Sequence, residues 1–264
     1  MQDYLIQQDY SLYTKNHHNT WSFLFNRQQD ILKNRAFDLF LECLDALDIN
    51  EKAMPNFDKV NALLKIKTGW EILPVNGFIP SKDFFGFLAE KKFPSTTFIR
   101  NKDHLDYLQE PDIFHDIFGH VPLLANSVFA NYMHEFGKKG IEGLELGYID
   151  YVTRLYWFTV EFGLIQTIKG PRIYGSGIVS SKGESIYCLE SEEPHRLVFD
   201  IIRVMRTDFR IDEYQKIYYI IPDLEELFDV IQKDLKPFYQ KAQKLGDIKD
   251  YALQKDDRLL VNNN

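Results

Sequence analysis

One stretch constrains this chain more than any other: residues 110–124, EPDIFHDIFGHVPLL. It sets His115 and His120 five positions apart among Phe114, Phe118, Val121 and Leu123. A single histidine among aromatics is an ordinary core or surface residue. Two so close together in apolar sequence present four ring nitrogens that need partners once buried. A metal ion would supply one partner to each ring. A third ligand comes most cheaply from a carboxylate in equally apolar surroundings, and Glu161 in LYWFTVEFGL is such a residue. On a helix its neighbours three and four positions away are Trp157, Phe158, Leu164 and Ile165. A carboxylate there must be paired, protonated or metal-bound. A structural ion pair, for which Arg154 is the nearest cation, is the competing reading.

The spacing itself is unusual. Five residues at about 100° each put two side chains roughly 140° apart on a straight α-helix. Convergence on one ion therefore requires a local bend at Gly119, or His115 just outside the helix. The pair also departs from H-E-x-x-H, in which histidines at i and i+4 share a face and the glutamate is the base. Asp116 follows the first histidine, but the spacing is wrong by one. Two histidines and a carboxylate leave coordination positions open, as in non-haem Fe(II) oxygenases and in zinc hydrolases. Spacing leaves both metals possible.

The 264 residues fit one large domain or two small ones, and 45% hydrophobic content allows a substantial core. A formal charge of −8, with no Lys/Arg run, argues against a nucleic-acid footprint and suits a soluble protein acting on a small molecule. Cys43 and Cys188 sit among apolar neighbours and read as buried free thiols. No signal peptide is expected from MQDYLIQQDY, and no apolar run reaches the roughly 18 residues of a transmembrane helix. A cytoplasmic protein that engages no membrane is the expectation.

Periodicity predicts a single, mainly α domain with a few short β-strands. Residues 1–19 are expected to form an extended arm in which His17 and His18 have no chemical role. Thr20 is expected to cap a helix from Trp21. Leu32, Ala36, Phe40, Leu44 and Leu47 mark one helical face. Pro55 and Asn56 break the chain, a short helix through Val60, Leu63 and Leu64 stops at Gly69, residues 70–80 read as extended, Ser81 can cap a helix, and residues 94–100 read as a strand. Residues 127–140 read as one helix and residues 149–168 as another. Residues 184–191 look strand-like, 195–205 helical, and 209–221 β-rich. Asp223 starts a last helix, and the tail, residues 246–264, looks frayed.

EPDIFHDIFGHVPLL and LYWFTVEFGL resemble the signature segments of the pterin-dependent aromatic amino acid hydroxylases. TGW, FIP, SKDFF, FIR, DYLQEPD, YGSGIVSSKGE and YCLES occur in matching order, so the similarity runs from about Trp21 to Tyr219. It is greatest to the short bacterial phenylalanine 4-hydroxylases, which consist of the catalytic domain alone. The resemblance implies a catalytic domain over residues 20–245 and Fe(II) held by His115, His120 and Glu161. It further implies a tetrahydropterin that activates O2 with the iron, and hydroxylation of L-phenylalanine to L-tyrosine. Tryptophan or tyrosine hydroxylation is the alternative within the family; a zinc hydrolase on the same three ligands, or a catalytically silent metal or amino-acid binder, is the alternative outside it.

The resemblance also implies roles residue by residue. Phe84 matches the aromatic that stacks on the pterin, and Gly77, Phe78 and Ile79 match the backbone along the pterin edge. Asp116 stands where a glutamate that contacts pterin through water is common. Tyr156 matches a tyrosine near iron and pterin. Arg100 matches the arginine that pairs with the substrate carboxylate, and Ser180 a serine near it. Trp157 and Pro111 match the ring pocket, with Tyr107 beside them and Leu108 where animal members commonly have threonine. Glu184 matches an acid that orients His115. Animal members carry a preceding regulatory domain and a following heptad-bearing helix. Neither is seen before Trp21 or after Asp223, so a monomer is the expectation.

Overall fold

The first helix, α1 (Lys15–Leu32), starts six residues earlier than the pattern suggests. Thr14 rather than Thr20 caps it: its hydroxyl accepts from the His17 N–H while its own N–H donates to His17 Nδ1. The neighbouring His18 accepts the Met54 N–H at 3.0 Å, so both arm histidines tie down backbone. The structure, a computed structural model, describes residues 4–77, 79–106, 110–249 and 251–259. Phe78, Tyr107 and Leu108, named above as pterin- and substrate-side residues, lie outside the described residues.

The single helical face expected through Leu47 is broken. Asn34 takes φ +62°, and a second helix, α2 (Asp38–Ala46), follows in a new direction. Asn56, read as a break in the chain, caps α3 (Phe57–Lys67), which stops at Gly69 (φ +78°) as the sequence predicts. Strand β1 (Glu71–Pro74) pairs in parallel with β2 (Lys92–Ser95), and α4 (Ser81–Ala89) crosses between them. The second strand thus starts two residues before the predicted one and ends five residues before it.

Helix α5 (Ser127–Leu146), capped by Asn126, runs straight through Gly137 and Gly140. These glycines do not end the helix; they let α4 approach. A Cβ on Gly137 would lie 2.3 Å from the Ala89 nitrogen, and one on Gly140 2.1 Å from Phe85 Cγ. The predicted helix over 149–168 divides into α6 (Ile149–Tyr156), a π-helical turn Trp157–Glu161, and strand β3 (Leu164–Thr167). An apolar run of that length does not by itself distinguish strand from helix.

β4 (Gly170–Ile173) returns antiparallel to β3, and α7 (Ser176–Val179) follows. The strand-like 184–191 is helix α8 (Glu184–Glu190), and the helix expected from His195 begins as β5 (His195–Val198) before α9 (Ile201–Arg206). β6 (Ile217–Ile221), buried at all five positions, occupies the interior of a sheet ordered β4-β3-β6-β5. α10 (Leu224–Ile231) is capped by Asp223 as predicted; α11 (Lys236–Leu245) was not foreseen. Nor is the whole tail frayed. The buried Arg203 guanidinium pairs with the buried Asp257 at 2.7 Å and donates to the Ala252 carbonyl, and the Val198 N–H reaches the Arg258 carbonyl.

The architecture is mainly α with short strands, as expected. Its core holds the histidine stretch from behind. Phe114 and Phe118 stack at 4.8 Å, with Trp21 edge-on to Phe114 and Phe25 and Phe40 edge-on to Phe118. Full burial of such rings contributes on the order of 1.5–3 kcal/mol each, so α1 and α2 anchor the backbone that presents the histidines.

Candidate active site

The histidine stretch is neither a bent α-helix nor a helix with His115 outside it. Residues Phe114–His120 form a π-helix, whose i→i+5 winding brings residues five apart onto one face. His115 Nε2 and His120 Nε2 stand 3.2 Å apart. Asp112, fully buried, accepts the His115 N–H and steadies the start of the turn. At Gly119 a Cβ would meet the Ser176 carbonyl at 2.8 Å, so only glycine lets the turn pack this closely against α7.

Glu161 arrives on the second π-helical turn, where the Phe162 N–H donates to the Trp157 carbonyl five residues back. Its carboxylate lies 3.1 Å from His120 Nε2 and 3.7 Å from His115 Nε2, and all three donor atoms fall within 4.8 Å of one another. Arg154, the competing partner, points elsewhere: it pairs with Asp247 at 2.7 Å. Burial pushes the Glu161 carboxyl up, but the two imidazoles and the Ser176 hydroxyl outweigh it and hold the group at about 2. Burial pushes His115 down to about 4, so it is neutral and able to act as a ligand at neutral pH.

Ser180 sets which nitrogen of His115 faces the centre. Its hydroxyl is 2.7 Å from the Ser176 carbonyl, to which it donates, and 2.9 Å from His115 Nδ1, from which it must then accept. Nδ1 therefore carries the proton and the Nε2 lone pair faces Glu161 and His120. This corrects the expectation for Glu184. Its carboxylate accepts from the Gln215 N–H (2.9 Å) and the Tyr218 hydroxyl (2.5 Å), and Ser180, not Glu184, orients His115. Burial raises the Glu184 carboxyl pKa against the opposing pull of those two donors. Two imidazoles and a carboxylate that converge, with no Lys or Arg ion-paired to Glu161 among the described residues, fit a divalent iron and leave the His115 and Glu161 side open.

That open side is one end of a cleft of about 710 Å³. Arg100, Pro111, Trp157, Ser180 and Glu184 all line it with His115 and Glu161, as do Phe162 and residues 211–215, which sequence reasoning missed. Arg100 grips Asp112 through Nε (2.8 Å) and Nη2 (2.7 Å), and among the described residues no bond engages Nη1. Asp112 was also missed, although a carboxylate between Pro111 and Ile113 was a signal. Trp157 stacks on Phe209 at 4.3 Å and contacts Phe162 at 4.7 Å.

Of the residues matched to pterin, Tyr156 and Phe84 meet outside the cleft lining. Tyr156 packs against His120 at 6.3 Å and edge-on to Phe84 at 5.5 Å, on the side of the triad away from the cleft lining. Phe84 is half-buried; Gly77 is exposed with φ +72°, and Ile79 half-buried nearby in sequence. Asp116 is buried and its carboxylate accepts both the N–H and the hydroxyl of Thr96 at 2.8 and 2.9 Å. Burial nonetheless pushes its pKa up to about 7. Turned to Thr96, Asp116 is not placed as the base a zinc hydrolase needs.

The sequence pattern of the family described as "Biopterin-dependent aromatic amino acid hydroxylase" matches residues 8–252. A phenylalanine-4-hydroxylase of Ralstonia nicotianae is 48% identical over 94% of this chain and 81% of its own length. One from Chromobacterium violaceum is 48% identical over 90% of this chain and 80% of its own. The crystal structure of C. violaceum phenylalanine hydroxylase with bound oxidised Fe(III) superposes with TM-score 0.94 at 46% identity, covering 98% of this chain and 94% of that one. The cobalt-bound form of the same protein gives TM-score 0.95. The chain belongs to the biopterin-dependent aromatic amino acid hydroxylases.

Proposed function

We propose that this enzyme hydroxylates L-phenylalanine to L-tyrosine with O2, Fe(II) and a tetrahydropterin, through the residues named above. One observation carries the choice of site: a cleft with Arg100 on its wall and Trp157, Phe162 and Pro111 along it ends at the open side of the His115–His120–Glu161 triad. Bound there, iron and reduced pterin supply the activation of O2, chemistry that protein side chains lack.

The chain's own part is positioning. Arg100, held by Asp112 through two parallel bonds, offers Nη1 to the substrate carboxylate at a fixed distance from the triad. Trp157, Phe162 and Pro111 hold the ring against the open side and keep water from it. Ser180 keeps His115 in the ligating tautomer. Glu161 and the imidazoles hold the metal. Tyr156, Phe84, Gly77 and Ile79 form the pterin side, with Asp116 behind them. Residues 20–245 hold the catalytic residues, with α1 reaching back to Lys15 and the Asp257 contact to Arg203 flanking them. The charge of −8 supports a small-molecule enzyme with no nucleic-acid partner. No described helix is long and apolar enough to cross a membrane. We read the protein as a cytoplasmic monomer, for which light scattering at 31.2 kDa is the check.

The deciding experiment admits O2 to the anaerobic protein with Fe(II), tetrahydropterin, and phenylalanine, tryptophan or tyrosine in turn. Tyrosine from phenylalanine at the highest kcat/KM is expected. A higher kcat/KM for tryptophan or tyrosine overturns the substrate; no product from any of them overturns the activity.

A further inference from the structure

We propose that Gln215 is a positioning residue that selects the substrate ring by holding Trp157 in place, an inference that rests on the cleft being the aromatic amino acid site. Gln215 is 1% exposed, yet every polar atom of its side chain is engaged. Its Oε1 accepts the Trp157 indole N–H at 3.0 Å. Its Nε2 donates to the Arg210 carbonyl at 2.8 Å, and its backbone N–H donates to Glu184 at 2.9 Å. One buried amide therefore joins three parts of the cleft wall: the π-turn that carries Glu161, the loop 210–214, and the start of α8.

No other polar contact fixes the Trp157 side chain among the described residues. Phe209 and Phe162 touch its faces, and stacked rings slide more easily than hydrogen bonds bend. An apolar side chain at 215 leaves the half-buried indole N–H without its protein partner. The indole then turns toward solvent or admits water. Loop 210–214, which presents Ile211 and Tyr214 to the cleft, loses its tether in the same step. Both changes alter the space for the ring, whereas the triad, held by Ser176, Ser180 and the aromatic core, is left in place. Substrate binding and ring selectivity should therefore change more than turnover. In apolar pockets, differences of a methylene are worth roughly 10- to 200-fold in discrimination, so the effect is measurable.

The test is a double-mutant cycle in the iron- and pterin-loaded enzyme, with kcat and KM for phenylalanine and tryptophan. Gln215→Met is expected to raise KM for phenylalanine at least tenfold, to lower kcat by much less, and to reduce the phenylalanine-to-tryptophan preference at least fivefold. In a Trp157→Phe background, which has no indole N–H to hold, the same change should raise KM less than threefold. Equal effects in both backgrounds, or a loss confined to kcat, overturn the proposal. Should Gln215→Met not fold, Gln215→Asn, which keeps the amide but draws it one methylene back from both the indole and the Arg210 carbonyl, decides: a KM for phenylalanine raised at least threefold supports the proposal and a smaller change overturns it. A wild-type enzyme inactive on every aromatic amino acid refutes the cleft assignment instead, which the parallel assays separate from failure of the Gln215 role.

Discussion

His115 Nε2 and His120 Nε2 face each other at 3.2 Å across five residues of sequence, with Glu161 Oε1 3.1 Å from the second. Two imidazole lone pairs and a carboxylate directed at one point make a site that only a proton or a metal reconciles. The π-helical winding of Phe114–His120 creates it, and Gly119 makes room for that winding against Ser176.

Chelation of iron should abolish hydroxylation and lower the melting temperature together. A metal at a hundredfold its Kd stabilises the native state by about 2.7 kcal/mol. Fe(II) is expected to restore both properties, and Zn(II) only the melting temperature. Melting curves and oxygen uptake on the same samples check this; coupled oxygen uptake by the zinc form would count against iron.

Gly119→Ala should destabilise the fold by about 1–3 kcal/mol, because its Cβ would meet backbone that has no free direction to move. The Ser176 backbone it displaces carries the hydroxyl bound to Glu161, so iron content should fall as well. Metal analysis and thermal melts read both effects. An unchanged melting temperature with full iron would show that the packing yields.

Arg100→Lys keeps the charge but loses the fork that grips Asp112. The predicted result is a KM for phenylalanine raised more than tenfold, a smaller change in kcat, and a stability loss of about 1–3 kcal/mol from the under-satisfied Asp112. Steady-state kinetics with urea titration test it. A kcat loss at constant KM would remove Arg100 from substrate binding.

Glu184→Gln probes a titration. Burial raises the carboxyl pKa in the folded state, so the protonated form is favoured by folding. The stability this contributes is full below the unfolded value near 4.3 and is lost as pH rises through the raised folded value. Wild type should therefore lose stability relative to Glu184→Gln on going up in pH through that window, then run parallel to it. Melts from pH 4 to 8 would disprove the raised pKa if the gap moved the other way.

Asp257→Ala leaves the buried Arg203 charge without its partner. A loss of about 3–5 kcal/mol is expected, with KM for phenylalanine unchanged because the pair lies in the tail contact and not in the cleft. Denaturant midpoints alongside KM check it; a near-wild-type midpoint would mean the tail adds little.

Several of these features were legible in the sequence. Asp223 announced a helix start because a side-chain cap is a local bond within three residues. Others were not. Leu164–Thr167 is a strand because β4 and β6 pair with it, and no local signal in the apolar run 149–168 carries that information. Gly137 and Gly140 look like helix stops until α4 is seen to lie against them. Gln215 had no signal in its own segment, since its partners Trp157 and Glu184 come from elsewhere in the chain.

The sequence by itself determined the family, the mainly α class and the three donor residues, because donor chemistry and motif order are properties of the chain. Only the tertiary structure decided how they meet. The π-helical winding, the tautomer of His115 set by Ser180, the release of Glu184 to Tyr218 and Gln215, and the Arg100–Asp112 clamp all rest on bonds and contacts within the folded core. Such contacts depend on which backbones approach, and that is settled by the packing of the whole domain rather than by any segment alone.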